Sequence, residues 1–122
     1  MILGMEKTSS DSIKRLRKYI IELESSKPKP SKEIDLGELA KLMNNVGFIG
    51  PINKPGTVRG FSHELLKSVP LLLNGSFTVH IVVKKRPTIR YHDFKKYVLP
   101  YIEIVLSQIE DQDLIQEEQQ NV

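Results

Sequence analysis

Six cations, Lys84, Lys85, Arg86, Arg90, Lys95 and Lys96, fall within thirteen residues that contain a single acid, Asp93. A surface carrying them suits a phosphate backbone, because each neutralised phosphate releases counterions and binding then weakens steeply with added salt. Lysines also protect strand edges from edge-to-edge pairing, so a solvated edge is the competing reading. Arg59 adds a seventh candidate cation upstream. Three histidines carry what acid–base chemistry the chain offers. An imidazole near neutrality can take a proton from a ribose 2′-hydroxyl and return one to the leaving oxygen, which is the chemistry of RNA cleavage. His63 closes a predicted strand after Arg59 and Phe61, and His80 lies on the outward face of the strand ending at Lys84. Both are candidate bases, set against the plain alternative of partly exposed, hydrogen-bonded histidines. His92, next to Asp93 at a helix start, reads as capping or surface chemistry.

Other chemistries find no residues here. The chain has no cysteine, which excludes disulfides, thiolate metal sites and cysteine nucleophiles, and makes the cytoplasm the expected compartment. It has no glycine-rich phosphate loop ending in Lys-Ser/Thr, no dinucleotide fingerprint, and no His or carboxylate set at metal-ligand spacing. No cofactor and no metal are expected. No apolar run approaches the roughly 20 residues of a membrane helix, and the opening Met1-Ile2-Leu3-Gly4-Met5 is too short for a signal-peptide core. The formal charge is +3, but Glu110, Asp111, Asp113, Glu117 and Glu118 contribute five negative charges to the last thirteen residues, leaving +8 on the rest. A basic body attracts phosphate-bearing partners, while the acidic end either shields it or keeps the protein solvated.

The elements that must position these groups follow from periodicity. Ser10, Asp11 or Ser12 caps a helix from Ile13 to about Glu24, with Ile13, Leu16, Ile20 and Leu23 on one stripe and Lys14, Arg15, Arg17 and Lys18 around it. That stripe docks on the domain's own core or pairs with a second copy. Residues 25–31, with Pro28 and Pro30, read as an extended, mobile linker. Asp35 three residues before Glu38 resembles a capping box, opening a helix from about Leu36 to Val46 that Gly47 ends. Residues 50–56, with two glycines and two prolines, read as a loop. Thr57 to His63 is a strand; residues 64–73 have no clean period, and Pro70 forbids an uninterrupted helix there, which leaves a short turn feeding a strand; Asn74-Gly75 is a tight turn. Phe77, Val79, Ile81 and Val83 then face a core, with Thr78, His80, Val82 and Lys84 opposite. A last helix runs from about Tyr91 to Ile109, kinked or split at Pro100. From Gln112 onward the chain is polar and is expected to fray.

Three stretches together resemble a known family: Leu39-Ala40-Lys41-Leu42-Met43-Asn44-Asn45-Val46-Gly47-Phe48, Gly56-Thr57-Val58-Arg59-Gly60-Phe61-Ser62-His63, and Ile89-Arg90-Tyr91-His92-Asp93-Phe94-Lys95-Lys96-Tyr97-Val98. Over about residues 35 to 106 the arrangement is similar to the HicA-type toxin, a small double-stranded-RNA-binding-like fold in which a helix ending in Gly-Phe precedes a three-stranded sheet and a final helix. The resemblance implies an mRNA interferase held inactive by an antitoxin partner. Such proteins show Gly-Ser-His in the first strand, where this chain carries Val58. That departure leaves His63 or His80 for the catalytic role, or a domain that binds without cutting.

The expected fold is therefore α+β: a small three-stranded antiparallel sheet with helices packed on one face, plus an extra N-terminal helix. Its divisions are residues 1–32, an amphipathic helix and Pro-rich linker; 33–110, the core domain; and 111–122, an acidic tail. The expected partner is RNA or another nucleic acid, with an antitoxin-like protein and a homodimer as further candidates and no membrane. A non-catalytic regulator, or an interaction module dimerising through Ile13, Leu16, Ile20 and Leu23, are the alternative functions.

Overall fold

The computed structural model describes residues 10–120, with side chains as far as residue 112. The apolar opening at residues 1–5 and the side chains of Asp113, Glu117 and Glu118 lie outside the described residues.

Helix α1, Ser10–Ser25, is already helical ahead of Ile13 and buries Ile13, Leu16 and Ile20. Those three belong to the same apolar cluster as the sheet and the other helices. Burying three large aliphatic side chains contributes roughly 5 kcal/mol, an upper figure, which is enough to keep the helix docked. Arg17 fastens it further, donating to Glu103 at 3.3 Å and to Glu110. The stripe proposed as a dimer surface is thus consumed by the chain's own core.

The mobile linker expected at residues 25–31 is instead tied down. His92 N–H donates to Pro30 O at 3.0 Å, and just past the segment Tyr91 N–H donates to Lys32 O at 2.7 Å, so two backbone donors at the start of the final helix are satisfied here.

Strand β1, Glu33–Asp35, leads directly into α2, Leu36–Asn44. Asp35 caps α2 as its spacing predicts, its side chain accepting from Glu38 N–H at 2.9 Å. Gly47 follows at φ +98°, the left-handed conformation that glycine adopts without a Cβ penalty. The residues expected to form a loop then contain β2, Ile49–Asn53. Pro51 is tolerated because β2 is an edge strand. Gly50 is required because a Cβ there would lie 2.6 Å from Gly60 O.

Strands β3, Val58–Ser62, and β4, Ser76–His80, complete an antiparallel sheet in the order β2-β3-β4. Between them Glu64–Leu66 forms one 3₁₀ turn, and Asn74 and Gly75 both take positive φ, as the tight turn requires. Phe77, Val79 and Ile81 are buried as predicted, but Val83 is 64% exposed. The reason is that the ladder with β3 ends at His80; Val82 bridges to Thr88 instead, and Val83 opens a new turn. That turn leads to β5, Thr88–Arg90, which pairs antiparallel with β1.

From Tyr91 the chain is helical without a break: α3, Tyr91–Asp93, a π turn over Phe94–Val98, and α4, Leu99–Gln120. Leu99 N–H reaches back five residues to Phe94 O, and this widened turn lets Pro100 sit in the first turn of α4. Phe94, Val98, Ile102 and Val105 are fully buried, as their spacing predicts. The backbone stays helical to Gln120 instead of fraying at Gln112. Phe77 stacks on Tyr101 at 4.8 Å and on Phe61 at 5.8 Å, so the sheet's inner face packs on α4. The protein is α+β, with helices on one face of the three-stranded sheet and the β1–β5 ribbon beside it. No helix among the described residues is long and apolar enough to cross a membrane.

Candidate nucleic-acid interface

The candidate cations divide by element. Lys84, Lys85 and Arg86 occupy the turn from Val83 to Pro87 that links Val82 to Thr88, and Arg90 ends the second strand of that hairpin. Glu33 and Thr88 share the ribbon's outer face with Arg90, because Ile34 and Ile89 are the buried, alternate pair. Lys84 Nζ lies 2.8 Å from Glu33 Oε1, and Thr88 Oγ1 donates to the same oxygen at 2.6 Å. Hydrogen bonds from Lys84 and Thr88, helped by the charges of Lys84 and Arg90, hold the Glu33 carboxyl below the usual carboxylate range. Lys85 and Arg86 stand beside Asp35, Gly37 and Glu38 at the start of α2.

Lys95 and Lys96 belong to the π turn. Lys95 reaches Glu24 of α1 at 3.8 Å and lies 5.8 Å from the Tyr91 ring centre; Lys96 lies 5.2 Å from that of Tyr97. Two of the six charges, Lys84 and Lys95, are therefore engaged by acids. Lys85, Arg86, Arg90 and Lys96 form no ion pair among the described residues. The acidic carboxyl end does not reach the cations as far as it is described, since Glu110 pairs with Arg17. Arg59 opposes Val79 on the inner side of the sheet, donates to Val58 O at 2.9 Å, and faces away from His80.

The two candidate bases part company. His80 opposes Val58 on the sheet's open face, in line with Thr78 and Ser76, and its Nδ1 is 3.5 Å from Thr57 Oγ1. It is solvent-exposed. His63 is 7% exposed, and both ring nitrogens are occupied. Leu65 N–H donates to Nδ1 at 3.0 Å, which assigns the proton to Nε2, and Nε2 donates to Val46 O at 2.8 Å. Burial pushes its pKa down, against the opposing pull of the Val46 carbonyl and Glu64. Phe48 meets the ring edge-on at 4.8 Å. His63 is not presented to a bound backbone; it pins the end of α2 to the turn after β3.

Some interface features left no mark in the sequence reading. Glu33 carries no local signal, because its hydrogen-bond partner Thr88 is 55 residues away. A shallow groove of about 340 Å³ crosses the open face beside Ile52, Lys54, Gly60, Leu73 and Thr78. Lys54 lies across Gly60, where a Cβ would come 3.1 Å from Lys54 Cε, so the bare backbone of Gly60 is what lets the lysine chain lie on this face. Among the described residues no group of three or more His, Cys, Asp or Glu is placed to hold a metal. Comparison with protein-family models, curated proteins and solved structures finds no match to this chain.

Proposed function

We propose that this protein binds RNA through the basic hairpin around Lys84, Lys85, Arg86 and Arg90, together with the adjoining open face of the sheet that carries His80 and Lys54. The observation that carries the reading is the hairpin turn, where Lys85 and Arg86 are exposed and, among the described residues, form no ion pair, on the same hairpin whose second strand ends at Arg90. Lysine and arginine at a turn contact phosphates as point charge and fork respectively, and need no base sequence to do so. Recognition of this kind reads an A-form duplex by shape and backbone.

Cleavage belongs to the same proposal. The resemblance to HicA-type interferases needs an accessible base, and His80 supplies one on the open face, with the Thr57 hydroxyl beside it to orient the imidazole. Lys54 and the hairpin cations would hold the backbone across it. An antitoxin-like protein would then be the partner that covers this face.

The test incubates the protein with labelled RNA and DNA at two salt concentrations, beside His80→Ala. The reading expects salt-sensitive RNA binding in both proteins and chain scission in the wild type alone. Binding without scission in either leaves a regulator that does not cut, and no binding removes the proposal.

A further inference from the structure

Glu33 is gripped by two side chains of the basic hairpin. One carboxylate oxygen accepts from Lys84 Nζ at 2.8 Å and from Thr88 Oγ1 at 2.6 Å; the other lies 2.9 Å from Lys84 Nζ. Arg90 stands directly opposite in the β1–β5 register. An ammonium, a hydroxyl and a nearby guanidinium make a donor set that suits any oxyanion, phosphate as well as carboxylate.

We infer that Lys84, Thr88 and Arg90 form an oxyanion pocket which Glu33 fills from within, an autoinhibitory contact that a phosphate group must displace. The inference rests on the RNA reading for its ligand, while the pocket itself stands on geometry. Displacement is open to a polyanion. The Glu33 side chain is 34% exposed and that of Lys84 54%, so the carboxylate can turn into solvent without unfolding anything, and exposed pairs of this kind hold weakly. Ile34 and Ile89 on the buried face keep the ribbon in register when it does.

The experiment uses inorganic phosphate and a labelled RNA duplex as separate probes. Amide signals of Thr88 and Arg90 are followed by NMR during phosphate titration of wild type, Glu33→Ala and Glu33→Ala/Thr88→Val, with Glu33→Gln as a variant that keeps the bulk and removes the charge. Saturable shifts are expected in both single variants, absent from wild type at the same concentrations, and lost again with Thr88→Val. RNA should bind the Glu33 variants more tightly than wild type, by a margin that shrinks about threefold between about 50 and 200 mM salt, as one added phosphate contact requires. Identical phosphate responses in wild type and Glu33 variants overturn the pocket, whatever the RNA does. A phosphate response confined to the variants, with no RNA bound by any of them, keeps the pocket and removes the RNA reading.

Discussion

His63→Ala separates a structural histidine from a catalytic one. The substitution deletes the hydrogen bond to Val46 O and the one from Leu65 N–H, each worth about 1 kcal/mol net. It leaves the Val46 carbonyl buried without a donor and opens a void beside Phe48, which adds a further 1 to 2 kcal/mol or so. The expected loss is about 3 kcal/mol, or roughly 10 °C in melting temperature for a chain of this length. Urea unfolding at pH 7 measures it. A second arm uses pH. Because the folded-state pKa lies below 6.5, the unfolded chain binds the proton first, so the contribution is complete above pH 6.5 and is lost as pH falls toward the folded value. Wild-type stability should decline as pH falls below about 6.5, with a slope of up to about 1.4 kcal/mol per unit, and His63→Ala should remove that part of the slope. A loss below about 1 kcal/mol, with identical pH slopes in both proteins, would refute the reasoning.

Gly47→Ala should cost about 2 to 3 kcal/mol by urea unfolding, since the residue sits at positive φ and a Cβ would meet His63 Nε2 at 2.8 Å. Tyr19, half-buried beside Glu38 and Asp35, has its phenol pushed up to about 12 by burial and those two charges. Absorbance titration should find one tyrosine ionising near there, with stability falling as pH rises from about 10 toward 12 because the folded state keeps the proton. His80→Ala should change stability by less than about 0.5 kcal/mol, its side chain being exposed, while abolishing any RNA scission.

The helices and strand β4 were legible because each has a buried face with a clear period. Leu39, Ala40 and Met43, then Phe77, Val79 and Ile81, and finally Phe94, Val98, Ile102 and Val105 repeat at helical or strand spacing, and packing obeys them. The β1–β5 ribbon was not legible. Its strands are three residues each and derive their stability from pairing across 55 positions, a non-local term that no window of sequence contains. The edge strand β2 was hidden by Pro51 and by Ile49 and Ile52 facing solvent, which leaves no alternation to see. For the site, the cation cluster was visible as composition, but the carboxylates that engage Lys84 and Lys95 arrive from Glu33 and Glu24, both distant in sequence. His63 looked equivalent to His80 because strand position does not tell which ring lies under α2.

The central claim is that the hairpin cations meet an RNA backbone. It is tested by the slope of log affinity for an RNA duplex against log salt, in wild type and in Lys85→Glu/Arg86→Glu. The account predicts a wild-type slope steeper by about 2 than that of the double variant, one counterion release for each lost contact. Parallel slopes, or RNA binding indifferent to salt, would contradict it.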